Sequence, residues 1–173
     1  MKIIDLSMPL HTGMEVFPGD PEVKMDVVHT YEKNGWELRN LSFGTHTGTH
    51  VDAFSHMHQG MASVDQIPVE RFLGEAQVVE HSKEWPKNIG LFFTEKVGLE
   101  SLSKLLEARP RFVGGELTEE LERALLKREI ITYTHLVNLE KLTKHSSFTF
   151  YGLPLKIQKG DGSPVRAIAV VES

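Results

Sequence analysis

Cysteine is absent from this 173-residue sequence. That absence excludes disulfides, thiolate-held metals and a cysteine nucleophile. Histidine, carboxylate and backbone oxygen are left as the donors for any bound ion. Long apolar runs are missing too: no stretch approaches the roughly 20 apolar residues a helix needs to span a bilayer. The opening Met1-Lys2-Ile3-Ile4-Asp5 lacks the apolar core of a secretory signal, so a cytoplasmic address is expected. Nor is there an excess of positive charge. Lys and Arg number 19 against 24 Asp and Glu, a formal net charge of -5, and the basic footprint of a nucleic-acid binder is lacking. Repeats, low-complexity tracts and long linkers are absent as well.

What is present is an ordinary globular composition, 40% hydrophobic and 25% charged, in a length that suits one domain over residues 1–173. Strand signals dominate the first half. Ile3–Leu6 reads as a short strand, and Phe17-Pro18-Gly19-Asp20-Pro21 as turn chemistry. Val23–Tyr31 and Trp36–Phe43 read as strands around an Asn34-Gly35 hairpin signal. Further strands are expected at Glu75–Glu80, Ile89–Thr94, Phe148–Ile157 and Pro164–Val171. In the second half, Leu99, Leu102, Leu105 and Leu106 recur with helical spacing. A second helix is expected to start at Thr118 as N-cap, with Glu119 and Glu120 in its first turn and Leu121, Ala124 and Leu125 on its apolar stripe. The sum is a mixed α/β domain.

The most informative residues are the histidines. Four of the nine, His46, His50, His56 and His58, fall in the window His46–His58, which also holds Asp52. All five positions have even numbers, so extended chain would present them on one face. A straight strand nevertheless spreads four residues over about 13 Å, too far for His46 and His50 to share one ion. A helix is disfavoured by Thr47-Gly48-Thr49. A bent loop remains, with Gly48 supplying the backbone freedom and the two threonine hydroxyls satisfying loose backbone groups. Imidazole and carboxylate together suit Zn, Mn or Fe. His58 by itself reads as a solvated loop residue.

His46-x-Gly48-Thr49-His50-x-Asp52, closed by His56, resembles the signature of the cyclase family of metal-dependent hydrolases, which includes bacterial kynurenine formamidases and isatin hydrolases. The resemblance extends to Ile4-Asp5-Leu6-Ser7, Phe17–Asp20, Val69–Ala76, Leu153–Lys156 and Asp161–Ala167. It implies a β/β/α-type cyclase fold with a barrel-like sheet flanked by helices. It also implies one or two divalent ions, Zn or Mn, held by His46, His50 and Asp52, with His56 as general acid/base. Phe17 matches a position where the family often places an aromatic near the substrate, although an apolar anchor for a turn is an equal reading. A homodimer or homotetramer and a small-molecule substrate follow from the same resemblance. Such an ion can lower the pKa of bound water and polarise a carbonyl. A free histidine near pKa 6.5 can move the proton, and hydrolysis of a small amide, formamide or lactam follows.

The sequence departs from the pattern in three places. Phe54 stands where the signature has proline, which leaves the turn towards His56 less rigid. Downstream, the family's metal-binding histidine and glutamate correspond to Glu122 and Thr134. Glu122 is a candidate ligand, yet it lies at the edge of the helix's apolar stripe, where a solvated glutamate is common. His135 adjoins Thr134 but on a strand would point to the opposite face. The chain is also short in this middle region. A single-ion site is therefore the expectation, with a non-catalytic, ligand-binding paralogue as the alternative. Asp161-Gly162-Ser163-Pro164 reads as a structural hairpin turn.

Overall fold

A computed structural model describes residues 1–81 and 83–172. In chain order its strands are β1 (Lys2–Asp5), β2 (Lys24–His29), β3 (Leu38–Ser42), β4 (His50–Asp52), β5 (Leu73–Val78), β6 (Gly90–Phe92), β7 (Phe112–Gly114), β8 (Ile131–Thr134), β9 (Ser147–Tyr151), β10 (Gly162–Pro164) and β11 (Ile168–Val171). Nine of them form one curled half-barrel sheet in the order β1-β11-β9-β5-β6-β7-β8-β4-β10, and β2 and β3 form a separate ribbon. The β5 to β8 stretch is parallel and the other pairings are antiparallel. Parallel neighbours need long crossovers. Accordingly, α2 (Leu102–Ala108) lies between β6 and β7, and α3 (Glu119–Leu126) between β7 and β8.

Alternation along the strands builds two cores. Leu91 and Val113 pack with Leu105, Leu121 and Leu125 of the helices. Their neighbours Phe92 and Phe112 point through the sheet to Tyr133, Phe148 and Phe150. The Phe150 ring centroid lies 4.7 Å from that of Phe92 and 4.9 Å from that of Tyr133. Buried Tyr133 donates its hydroxyl hydrogen to the Gly152 carbonyl at 3.0 Å, so the polar tip of this aromatic core is satisfied.

The expected helix at Thr118 forms as read, with the Thr118 hydroxyl accepting from the Leu121 amide at 3.4 Å. The leucine-rich stretch opens with a 3-10 turn at Leu99–Ser101 before α2 begins. Two expectations change. The Asn34-Gly35 hairpin is closed not by a two-residue turn but by the single helical turn α1 (Tyr31–Asn34), capped by Gly35 at φ 80°. The last expected strand, Pro164–Val171, is divided between two strands towards opposite ends of the sheet: β10 pairs with β4 at one edge, and β11 lies between β1 and β9. Among the described residues no helix is long and apolar enough to cross a membrane.

Candidate metal centre

The chain bends at Gly48, which adopts φ +61°. The left-handed backbone favours glycine, and a Cβ there would also meet Leu10 Cδ2 at 2.5 Å and push that methyl group aside. Thr49 locks the bend. Its hydroxyl donates to the His135 carbonyl at 2.6 Å and accepts from the Met8 amide at 3.0 Å. Extended chain resumes at β4, where Val51 enters the core and His50 and Asp52 face the other way. Register with β8 sets His50 opposite Thr134 and Asp52 opposite Thr132. Both threonines hydrogen-bond their partners: Thr132 Oγ1 donates to Asp52 Oδ2 at 2.9 Å, and Thr134 Oγ1 lies 2.8 Å from His50 Nε2. After β4 the chain makes a 3-10 turn, Phe54–His56. Phe54 is buried in the core, so packing holds the turn in place of the proline the signature would have.

Five titratable side chains meet here. His46 Nδ1 is 2.7 Å from Asp52 Oδ1, and His46 Nε2 is 2.9 Å from Asp161 Oδ2. The His56 ring lies against that of His46, centroids 3.8 Å apart, and His56 Nδ1 is 3.4 Å from the same Asp161 oxygen. Donor atoms of His46, Asp52 and His56 all fall within 4.8 Å of one another, close enough to hold one ion. His50 stands beside them, with Nε2 3.4 Å from Asp52 Oδ1. Its Nδ1 donates to the Gly48 carbonyl at 2.7 Å, which turns Nε2 towards Asp52 and the ion site.

Burial opposes charge on His46, but its hydrogen bonds to Asp161 and Asp52 outweigh it and raise its pKa to about 9. Burial likewise works against the Asp52 carboxylate, and the bonds from His46 and His50 hold it charged, well below the usual range. Asp161 is lowered by its bonds to His46 and His56. Glu122 goes the other way, pushed up to about 8 by burial and then by the nearby Asp52 charge. Its Oε1 is buried with no hydrogen-bond partner. A buried, partnerless carboxylate oxygen beside a second carboxylate is costly in a metal-free protein. A cation would supply the missing partner, and the donor set of imidazole and carboxylate suits a divalent ion such as Zn or Mn.

The structure thus brings together His46, His50, Asp52, His56 and Glu122. Phe17 is not among them: it stands 73% exposed at the head of the Phe17–Asp20 turn. Glu122, at the edge of its helix stripe, faces the site rather than solvent. Three further expectations are corrected. Asp161 is part of the cluster and not only a turn residue; it lies 105 residues beyond His56, and no local spacing ties it there. His135 follows β8 in a left-handed conformation, φ +54°, which breaks strand alternation and brings its ring to 5.7 Å from that of His50. His58 is not simply solvated, since its Nε2 meets the Arg123 carbonyl of α3 at 2.7 Å.

Residues 4–110, more than half of the chain, match the profile of the cyclase family, described as "Putative cyclase". The chain belongs to that family. Among curated members it is 28% identical over 205 aligned positions to a kynurenine formamidase of Salinibacter ruber, covering 97% of each chain. A kynurenine formamidase of Bacillus anthracis is 25% identical over 203 positions, covering 96% of each. Both alignments are longer than the 173 residues here, so these cyclase-family relatives carry segments that this chain lacks. Among solved structures, isatin hydrolase A from Labrenzia aggregata, bound to benzyl benzoate, superposes with a TM-score of 0.84 at 23% identity, covering 99% of this chain and 94% of that one. Isatin hydrolase A from Ralstonia solanacearum gives 0.79 at 22% identity, over 99% and 92%. The curled mixed sheet is the cyclase fold.

Proposed function

We propose that this chain is a metal-dependent hydrolase of a small amide, formamide or lactam, acting on a carbon–nitrogen bond outside peptides. The observation that carries the reading is the convergence of His46, Asp52 and His56 donor atoms within 4.8 Å, beside a Glu122 oxygen that has no partner of its own. The kynurenine formamidase relatives, similar over almost the whole of both chains, support the choice of substrate class.

In this reading His46, His50 and Asp52 hold the ion, Zn or Mn, and Glu122 completes its charge balance. When bound, the ion supplies Lewis acidity to a carbonyl and a lowered pKa to water. The rest falls to the chain. His56, held through Nδ1 by Asp161, takes a proton from the attacking water and returns it to the leaving nitrogen as the C–N bond breaks. For a formamide, one water is consumed and an amine and formate are released. Thr132 keeps Asp52 in place, and Thr134 fills the space opposite His50 without adding charge. One ion per chain is the corresponding stoichiometry. The exposed ring of Phe17 is assigned to the substrate side.

A specific observation favours a variant of this reading: His56 is itself in the set within 4.8 Å, so it can serve as a ligand. One experiment separates the two. Metal per chain is measured by elemental analysis after loading with Zn or Mn, alongside turnover of aryl formamides, esters and cyclic imides. With His56 as acid/base, His56→Ala keeps the ion and loses turnover. With His56 as ligand, it loses both. A loaded wild-type protein inert on the whole panel would return the chain to the non-catalytic, ligand-binding alternative.

A homo-oligomer, dimer or tetramer, is part of the proposal. The β2–β3 ribbon supports it, because most of its residues are exposed, Val27, Val28, Leu38 and Leu41 among them. A free two-stranded ribbon is marginally stable in water, and a partner surface would cover its apolar side chains.

A further inference from the structure

We infer that Asp161 is a positioning residue that clamps the rings of His46 and His56 together and fixes their orientation. The inference deepens the hydrolase reading and rests on it for the identity of the ion site. One carboxylate meets three side chains. Oδ1 accepts from the Thr45 hydroxyl at 2.8 Å, while Oδ2 faces His46 Nε2 at 2.9 Å and His56 Nδ1 at 3.4 Å. No other residue touches both rings through one oxygen among the described hydrogen bonds.

The backbone around Asp161 is built for this. Its carbonyl accepts from the amide of Ala53, the residue after Asp52, at 2.8 Å, and the Gly160 carbonyl accepts from the Val64 amide at 2.8 Å. The clamp is thereby fixed to the segment it serves. The next residue makes room for it. A Cβ at Gly162 would meet His46 Cε1 at 2.4 Å, so only glycine lets the imidazole lie against β10 with its nitrogen on Asp161. Gly162 has no positive φ, and the requirement is for space alone. Two adjacent residues, Asp161 and Gly162, are thus fitted to one ring.

The chemical consequence follows from the two nitrogens of His46. Nδ1 faces Asp52, a proposed ion ligand, and Nε2 faces Asp161. A carboxylate behind a metal-binding imidazole orients the ring, and with Nε2 turned to Asp161 it is Nδ1 that faces Asp52 and the proposed ion site. The same oxygen holds His56 through Nδ1 at 3.4 Å, so Nε2 is the nitrogen His56 turns away from the clamp. Asp161 therefore ties the orientation of the proposed acid/base to that of a proposed ligand.

The test reads the histidine ring nitrogens by NMR in the full-length chain, first metal-free and then through a zinc titration, for the wild type and Asp161→Asn. The expected result is that Asp161→Asn shifts and broadens the ring signals of both His46 and His56, as the rings lose their fixed orientation, while the backbone amide spectrum stays native. Zinc affinity should fall roughly 10–100-fold, the usual cost of losing such a partner. Should that variant fail to fold, Thr45→Val keeps the carboxylate but removes its anchor, and a smaller shift of the same two rings is expected. Unchanged ring signals in a folded variant would overturn the clamp. Shifted signals with zinc affinity within twofold of wild type would overturn its service to the ion. A wild-type chain that takes up no zinc sinks the hydrolase reading instead, and the metal-free ring signals still decide what Asp161 does.

Discussion

Glu122 carries the charge state with the widest consequences at the scale of single residues. Its folded pKa, about 8, lies above the ordinary 4.5. Between those values the unfolded chain has released a proton that the folded metal-free chain retains, so this group's contribution to stability falls as pH rises from about 4.5 to about 8. His46, raised from 6.5 to about 9, contributes stability that is full below 6.5 and is lost as pH climbs through 9. Asp52, held below 3.8, stabilises at neutral pH and stops doing so in acid. Comparing wild type with Glu122→Gln cancels the other two. Thermal melts of the metal-free proteins should coincide near pH 4 and separate by pH 8, with the glutamine variant the more stable. At pH 7, calorimetry of zinc uptake in buffers of different ionisation enthalpy should show the wild type releasing more protons than the variant. Equal melting at both pH values would mean that Glu122 is already ionised.

Two elements carry predictions of their own. The bend before β4 depends on Gly48, whose φ of +61° disfavours any side chain and whose Cβ position is taken up by the tip of Leu10. Gly48→Ala should cost at least about 1–2 kcal/mol for the left-handed backbone, with displacement of Leu10 added, read as a lower urea midpoint. Zinc affinity should fall with it, because the bend sets the distance between His46 and His50. On β8, Thr134 faces His50 across the antiparallel pair. Thr134→Glu adds a carboxylate at that face, and metal content should rise from one ion per chain towards two. No gain in a folded variant would show that more than this one substitution limits the site.

For the whole molecule, the prediction concerns the β2–β3 ribbon. Sedimentation should give a dimer or tetramer, and Val28→Glu combined with Leu41→Glu should shift it to monomer with an unchanged far-ultraviolet spectrum. A monomeric wild type would remove the ribbon from any such interface. The nine-stranded sheet takes its shape from pairings between distant parts of the chain, since β1 joins β11 and β4 joins β8 and β10. The site depends on the same pairings. β4 supplies His50 and Asp52, β8 the two threonines, the turn into β10 Asp161, and α3 Glu122.

That division explains what was legible in advance. The local devices could be read directly: the N-cap at Thr118, the leucine spacing of α2, and the even-numbered histidines with a glycine forcing a bend. Each rests on contacts within a few residues, where backbone sterics and side-chain chemistry act through the chain itself. The partners of those histidines could not be read in the same way. Asp161 is brought to His46 and His56 by the register of β10 on β4, and Glu122 faces the site because the crossover seats α3 beside β8. His135 turns inward because its backbone leaves the strand region at the end of β8. Register and helix placement are set by which faces the whole sheet buries, and a single slip would exchange every face. The sequence by itself determined that a bent, histidine-rich segment would present ligands. The tertiary structure alone decided which distant carboxylates would meet them, because only the assembled core fixes the pairing of strands so far apart in the chain.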